Sequence, residues 1–173
     1  MGIVLSCNCK KCGYHFGASV GVGMLYPKVY SENVTAMKEG QFGKQGKAFF
    51  ETFPDGAITC ENIVVQCNDC GQLMEVPELS LYIPKDGYDP TNEDRSIPWS
   101  SGFSGKGYDY ISFTEIEKHY QLFELYDHRC TYCNGHTSVV SGFTESMKEG
   151  IDRHVRCPEC GSMIAINSVY FWD

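Results

Sequence analysis

The chain has 173 residues, 42% of them hydrophobic and 13% aromatic, and it carries 22 acidic against 14 basic side chains for a formal net charge of −8. That hydrophobic content excludes a disordered acidic tail, and the length allows one ordinary domain or two small ones. The negative charge disfavours broad contact with a phosphate backbone, and no apolar run approaches the ~20 residues that cross a bilayer.

The acid is uneven. Residues 84–127 hold four basic and nine acidic side chains, whereas 1–83 hold six and eight, and 128–173 hold four and five. No segment is basic. The N-terminus lacks a basic stretch followed by a long apolar one, so an export signal is not expected. Ten cysteines in such a chain point to a reducing, cytoplasmic setting, and to metal rather than disulfides.

In chain order, Ile3, Val4 and Leu5 predict a strand leading into the pair CKKCG at 9–13. The opening MGIVLS also fits the M-G-x-x-x-[ST] acylation pattern, but the strand is the preferred reading. GASVGVG at 17–23 reads as loops and tight strand crossings, since it lacks the order of a phosphate-binding loop. SENVTAMKEG predicts a helix with Ser31 at its start and Gly40 as its stop, and GKQGKAFFETF a second helix ended by Pro54-Asp55-Gly56. Together they form a helical insert over about 31–58. ITCENIVVQC reads as a strand entering CNDCG at 67–71, and LMEVPELSLYIP as short strands broken by Pro77.

Residues 84–111 are rich in Gly, Pro, Ser and Asp, and serve as the expected connection between an N-terminal region, 1–83, and a C-terminal one, 112–173. The aromatics within it suggest that part of it packs. SGFSGKG at 101–107 carries no phosphate-loop order either. SFTEIEKHYQLFELYDH predicts a helix over about 115–126, with Thr114 and Glu117 as a capping box. CTYCNG at 130–135 and CPECG at 157–161 follow, and SMIAINSVYFWD closes the chain as a strand or hairpin. TAMKEG at 35–40 recurs as ESMKEG at 145–150, each between two cysteine pairs, which suggests duplication of one unit.

Four C-x-x-C pairs are present, where random placement of ten cysteines gives about half of one. Two cysteines so spaced can curl the backbone into a knuckle that aims both sulfurs at one ion. The next residue needs positive φ, which Gly13, Gly71 and Gly161 adopt without penalty and Asn134 tolerates best among the others. Two knuckles make one tetrahedral site. Chain order suggests Cys9, Cys12, Cys67 and Cys70 for one ion and Cys130, Cys133, Cys157 and Cys160 for the other; cross-pairing between the halves is the alternative. Four thiolates leave no open position, so both sites read as structural, suited to two Zn²⁺ and less well to iron. Cys7 and Cys60 read as small buried apolar residues. Neither half has much core of its own, so chelation is expected to unfold each.

The knuckles CKKCG, CNDCG and CPECG resemble those of rubredoxins and zinc ribbons. The wider run of CKKCG, GVGMLYP, MKEG, FPDGAI, CNDCG and LSLYIP resembles small bacterial zinc-ribbon proteins over about the first half of the chain. The resemblance implies a metal-ligand role for the eight cysteines and brings no activity. The second half departs from the pattern at Asn134. The expected fold is a small, metal-stapled α+β protein: two tandem zinc-ribbon units, antiparallel strands with C-x-x-C knuckles, carrying short helical inserts.

Catalytic patterns are missing. There is no H-x-E ahead of P-C-x-x-C, no H-E-x-x-H, and no Asp-His pair between Cys133 and Cys157. His128, Arg129, Arg153, His154 and Arg156, with His136 nearby, form a candidate cationic patch for an anion or nucleic acid, although Glu145, Glu149, Asp152 and Glu159 can offset it. His15 and His119 read as packing or surface residues. The leading expectation is a non-enzymatic zinc protein presenting an acidic, tyrosine-rich surface to a protein partner, with no membrane. Nucleic-acid binding is the second reading, and an Fe(Cys)₄ electron carrier the third.

Overall fold

The structure is a computed structural model and describes residues 2–23, 25–90, 96–97, 108–147 and 154–172. Its elements in order are β1 (Gly2–Asn8), β2 (His15–Gly21), α1 (Tyr26–Glu39), α2 (Lys44–Thr52), β3 (Ala57–Ile58), β4 (Asn62–Cys67), β5 (Leu73–Pro77), β6 (Leu81–Pro84), β7 (Ser96–Ile97), β8 (Tyr108–Asp109), α3 (Phe113–His119), β9 (Tyr120–Glu124), β10 (Thr137–Ser141), α4 (Phe143–Met147), β11 (His154–Arg156) and β12 (Met163–Trp172). The chain is a small α+β protein with antiparallel strand pairs. Among the described residues no helix is long and apolar enough to cross a membrane.

Two compact units interleave along the chain. The first comprises Met1–Met24, Glu61–Glu78 and Asp127–Asp173, and the second Leu25–Cys60 and Leu79–Tyr126. The sequence division, by contrast, runs in chain order with a connection over 84–111. GASVGVG supplies most of β2, and the strand over Ile3 to Leu5 is β1.

The first unit is built on one sheet. Its strands run β10-β4-β2-β1-β12-β11, and β5 pairs with β4 off that path. Strand alternation places Ile3, Leu5 and Cys7 of β1 on a buried face, where they meet Val20, Leu73, Val155 and Ile164. A smaller cluster holds Ile63, Val65 and Met74 with Cys67 and Cys130. In both clusters cysteines take places that aliphatic residues fill elsewhere.

The second unit is held by aromatic and aliphatic packing. Tyr30, Met37, Phe49, Phe50, Ile58, Leu81, Ile116 and Tyr120 lie in its buried cluster. Helix α1 has Pro27 in its first turn and stops at Gly40, whose φ of 81° lets the chain reverse. Tyr26, not Ser31, opens it: Pro27 needs no hydrogen-bond acceptor in that first turn. Gly46 lets α2 approach α1, because a Cβ there would strike the Met37 side chain.

The predicted helix over 115–126 is the clearest local correction. Helix α3 begins two residues earlier, with Ser112 as the cap: Glu115 N–H donates to Ser112 Oγ at 3.3 Å, and Ser112 N–H donates to the Glu115 carboxylate at 3.3 Å. It ends at His119, where Lys85 Nζ donates to the carbonyls of Glu117 (2.8 Å) and Lys118 (3.0 Å) and balances the negative end of the helix dipole. Residues 120–124 then pair with β6, Pro84 opposite Tyr120 and Leu81 opposite Glu124. The apolar spacing of this stretch serves a strand as well as a helix, and the partner strand decides. The two copies of the M-K-E-G segment also diverge. Met37 lies in the last turn of α1, fully buried in the second unit, whereas Met147 ends α4 half exposed in the first; residues 148–150 lie outside the described residues.

Candidate metal centres

Each C-x-x-C pair closes an antiparallel pair of chain segments in the same register. The residue before the first cysteine faces the residue six beyond that cysteine: Asn8 with His15, Gln66 with Leu73, Arg129 with His136, Arg156 with Met163. Inside each loop the first cysteine's N–H donates to the carbonyl five residues on, at 2.8–2.9 Å, from Cys9 to Tyr14, Cys67 to Gln72, Cys130 to Gly135 and Cys157 to Ser162. Its carbonyl accepts from the residue four on, at 2.8–3.0 Å: Gly13, Gly71, Asn134 and Gly161. Those four residues have φ of 81°, 76°, 61° and 70°. The expectation that Asn134 takes the left-handed place of a glycine therefore holds.

This shared geometry sorts the cysteines by depth. The first of each pair is buried (Cys9, Cys67, Cys130, Cys157); Cys12, Cys70 and Cys133 are exposed, and Cys160 is half-buried. One ligand of each knuckle is thus anchored in the hydrophobic core while the other reaches outward.

The knuckles do not pair as chain order suggested. Cys9 and Cys12 meet Cys157 and Cys160, and Cys67 and Cys70 meet Cys130 and Cys133, with the four sulfurs of each group within 4.8 Å of one another. The reason lies in strand pairing. Antiparallel pairing of β1 with β12, Cys7 opposite Ile166, brings the first knuckle to the fourth. Pairing of β10 with β4, Thr137 opposite Cys67, brings the third to the second. Each centre therefore draws one knuckle from either half of the chain. The expectation of one closed site per half is overturned.

The sulfur separations fit a bound ion. Across the first centre Cys9 Sγ lies 3.5 Å from Cys160 Sγ, and Cys12 Sγ 3.5 Å from Cys157 Sγ. Across the second, Cys67 to Cys133 is 3.4 Å and Cys70 to Cys130 is 3.6 Å. A tetrahedron with metal–sulfur bonds of about 2.3 Å has edges of about 3.8 Å, whereas a disulfide is about 2.05 Å. All ten cysteines are free thiols. The two groups can each hold a metal ion through four sulfurs.

The backbone prepares one ligand of each centre for deprotonation, whereas Cys12 and Cys133 are pushed up to about 12, the first by desolvation and then its neighbouring sulfurs, the second by Cys67 and Cys70. The Cys70 N–H, 3.4 Å from Cys67 Sγ, and then that of Asp69 bring the Cys67 thiol down to about 6. The Ser162 hydroxyl and N–H bring Cys160 down to about 6. Each centre thus has one thiol that favours the thiolate near neutrality, the form a metal binds. Cys7 lies buried beside the first centre and Cys60 lies buried in the second unit's core, as expected of small apolar residues.

The predicted cationic residues are differently engaged. Half-buried His128 donates from Nε2 to the Glu78 carbonyl at 2.8 Å, and burial holds its pKa below the ordinary value. Arg129 pairs with Asp127 at 2.7 Å, and the same carboxylate lies 3.2 Å from His136 Nδ1. His154 and Arg156 are exposed on β11 on either side of buried Val155. Arg153 lies outside the described residues. Two residues that sequence reasoning missed shape the second centre. Gly135 leaves room for the Asp69 side chain, which a Cβ would strike, and Gln66 precedes Cys67. Neither stands out among the chain's other glycines and glutamines.

The chain matches no protein-family model, no curated protein and no solved structure.

Proposed function

We propose that this chain is a non-enzymatic zinc protein that acts as an interaction module in a reducing, cytoplasmic setting. The observation that carries it is the pair of four-cysteine groups whose sulfurs stand 3.4–3.6 Å apart across the knuckles. Four thiolates complete a tetrahedral shell, so an ion held there staples the chain and has no position for a substrate. Soft sulfur donors in that arrangement suit zinc. Cys9, Cys12, Cys157 and Cys160 would hold one ion, and Cys67, Cys70, Cys130 and Cys133 the other.

A protein partner suits the surface. The formal charge is −8, and Asp127 already takes up Arg129. Exposed Leu122, Phe123 and Leu125, at and just beyond β9, offer apolar contact on the second unit.

Elemental analysis of the purified protein tests the metal: two zinc ions per chain and a colourless solution are expected, while a red solution containing iron would replace this reading with electron transfer. Affinity capture tests the module, with the partner retained by the zinc-loaded wild type and lost by Leu122→Asp combined with Leu125→Asp. Salt-sensitive binding of oligonucleotides, abolished by changing Arg129 and Arg156, would overturn it in favour of nucleic-acid recognition.

A further inference from the structure

The two centres lie in one unit but on different strand pairs. The first is built on the β1–β2 and β11–β12 hairpins, and the second on the β4–β5 hairpin and the loop that leads into β10. Backbone pairing between these two groups is slight: a single register pair, Gly21 with Asn62, joins β2 to β4. Yet the knuckles come close together. A Cβ added at Gly71, which follows ligand Cys70, would stand 3.6 Å from the Cα of Pro158, between ligands Cys157 and Cys160.

Gln66 spans this junction. Its Nε2 donates to the carbonyl of Gly71 at 2.8 Å and to the carbonyl of Arg156 at 2.7 Å. A carboxamide nitrogen has two hydrogens, so both are used. One acceptor comes immediately after Cys70 of the second centre. The other comes immediately before Cys157 of the first. Gln66 itself precedes Cys67. A single side chain therefore fixes the peptide planes beside ligands of both centres.

We propose that Gln66 couples the two centres, so that an ion in one raises the affinity of the other. This rests on the metal reading above. Binding at the first centre orders the fourth knuckle and, with it, the Arg156 carbonyl. That carbonyl holds Gln66 in the rotamer that braces Gly71, and the second knuckle is then formed before its own ion arrives. The ordering cost of the second event falls, which is positive coupling, and by linkage the effect is reciprocal.

The test measures zinc affinity of each centre in the full chain by competition with a chromophoric chelator. It compares wild type with Gln66→Leu, each with and without Cys9→Ser plus Cys12→Ser. In wild type, loss of the first centre lowers affinity at the second on the order of tenfold. In Gln66→Leu the second centre is already weaker, and loss of the first changes it little. A second centre indifferent to the first, or an equal dependence in both backgrounds, overturns the proposal. A separate measurement needs no cysteine variant. Cobalt-loaded wild type loses both ions to EDTA in one concerted phase, and Gln66→Leu loses them in two. Two phases already present in wild type overturn the coupling while leaving two bound ions in place. A wild-type protein that binds no metal fails the underlying reading, and elemental analysis distinguishes the two failures.

Discussion

The two units solve the same stability problem by different chemistry. Among its described residues the second unit encloses twelve that are buried, four of them aromatic, around α1, α2, α3 and the β3-β6-β9 sheet, and no group of clustered cysteines. The first unit spreads its core over two clusters in which Cys7, Cys9, Cys67, Cys130 and Cys157 are members. Neither cluster has an aromatic ring among its buried members, and those five cysteines take places that larger side chains would fill, so an ion at the knuckles adds to what the aliphatic residues bury. The lesson is that the cysteines are not shared evenly along the chain: all eight knuckle residues serve one unit, although they come from both halves of the sequence.

The contrast can be broken most forcefully from the metal side. Removal of the ions by a strong chelator is expected to cost the first unit on the order of 10 kcal/mol of apparent stability per centre. Hydrogen exchange would show β1, β4 and β12 losing protection while α1 and α2 keep theirs. Equal loss in both units would mean that the second unit has no independent core.

The converse experiment attacks the hydrophobic side. Phe50, 5% exposed, belongs to the second unit's cluster and meets Phe49 edge to face with ring centroids 5.1 Å apart. Phe50→Ala is expected to cost about 3–5 kcal/mol. Exchange should rise in α1 and α2, while elemental analysis still finds both ions.

A finer probe acts within one knuckle. Asn134 has φ of 61° and closes the knuckle that its three counterparts close with glycine. Asn134→Ala is expected to cost about 1–2 kcal/mol and to weaken the second centre most, while Asn134→Gly should leave zinc affinity unchanged or slightly raised. Chelator competition on each variant reads this directly.

The smallest expected effect is electrostatic. Burial, followed by the nearby carboxylates of Glu78 and Glu145, raises Glu61 from 4.5 to about 7. The folded state thus resists ionisation that the unfolded chain accepts. The cost is absent below about 4.5, grows as pH rises, and is complete above about 7. Glu61→Gln should therefore raise the melting temperature of the zinc-loaded protein at pH 8 and leave it nearly unchanged at pH 5.

Local features were legible in the sequence where a few adjacent residues settle the energetics. Gly40 ends α1, Pro54-Asp55-Gly56 follows α2, and the knuckles fold with the positive φ that Gly13, Gly71, Asn134 and Gly161 allow. The first strand and the buried state of Cys7 and Cys60 follow from apolar residues in short runs. Where two local solutions compete, adjacent residues do not decide between them. Ile116, Tyr120 and Phe123 fit a helix, yet the chain turns to a strand at Tyr120 because β6 supplies a hydrogen-bonding edge there. Ser112 takes the cap from Thr114 because its hydroxyl meets the Glu115 N–H.

By itself, the amino-acid order determined that sulfur would be presented in four like-shaped knuckles, because spacing and a left-handed residue are properties of five consecutive positions. Which knuckle faces which was decided only in three dimensions. The antiparallel registers of β1 on β12 and of β10 on β4 join residues more than a hundred and about seventy positions apart. Nothing in a knuckle's own sequence marks its mate, since all four offer the same ligands; long-range strand pairing, driven by burial of alternate side chains, makes the choice.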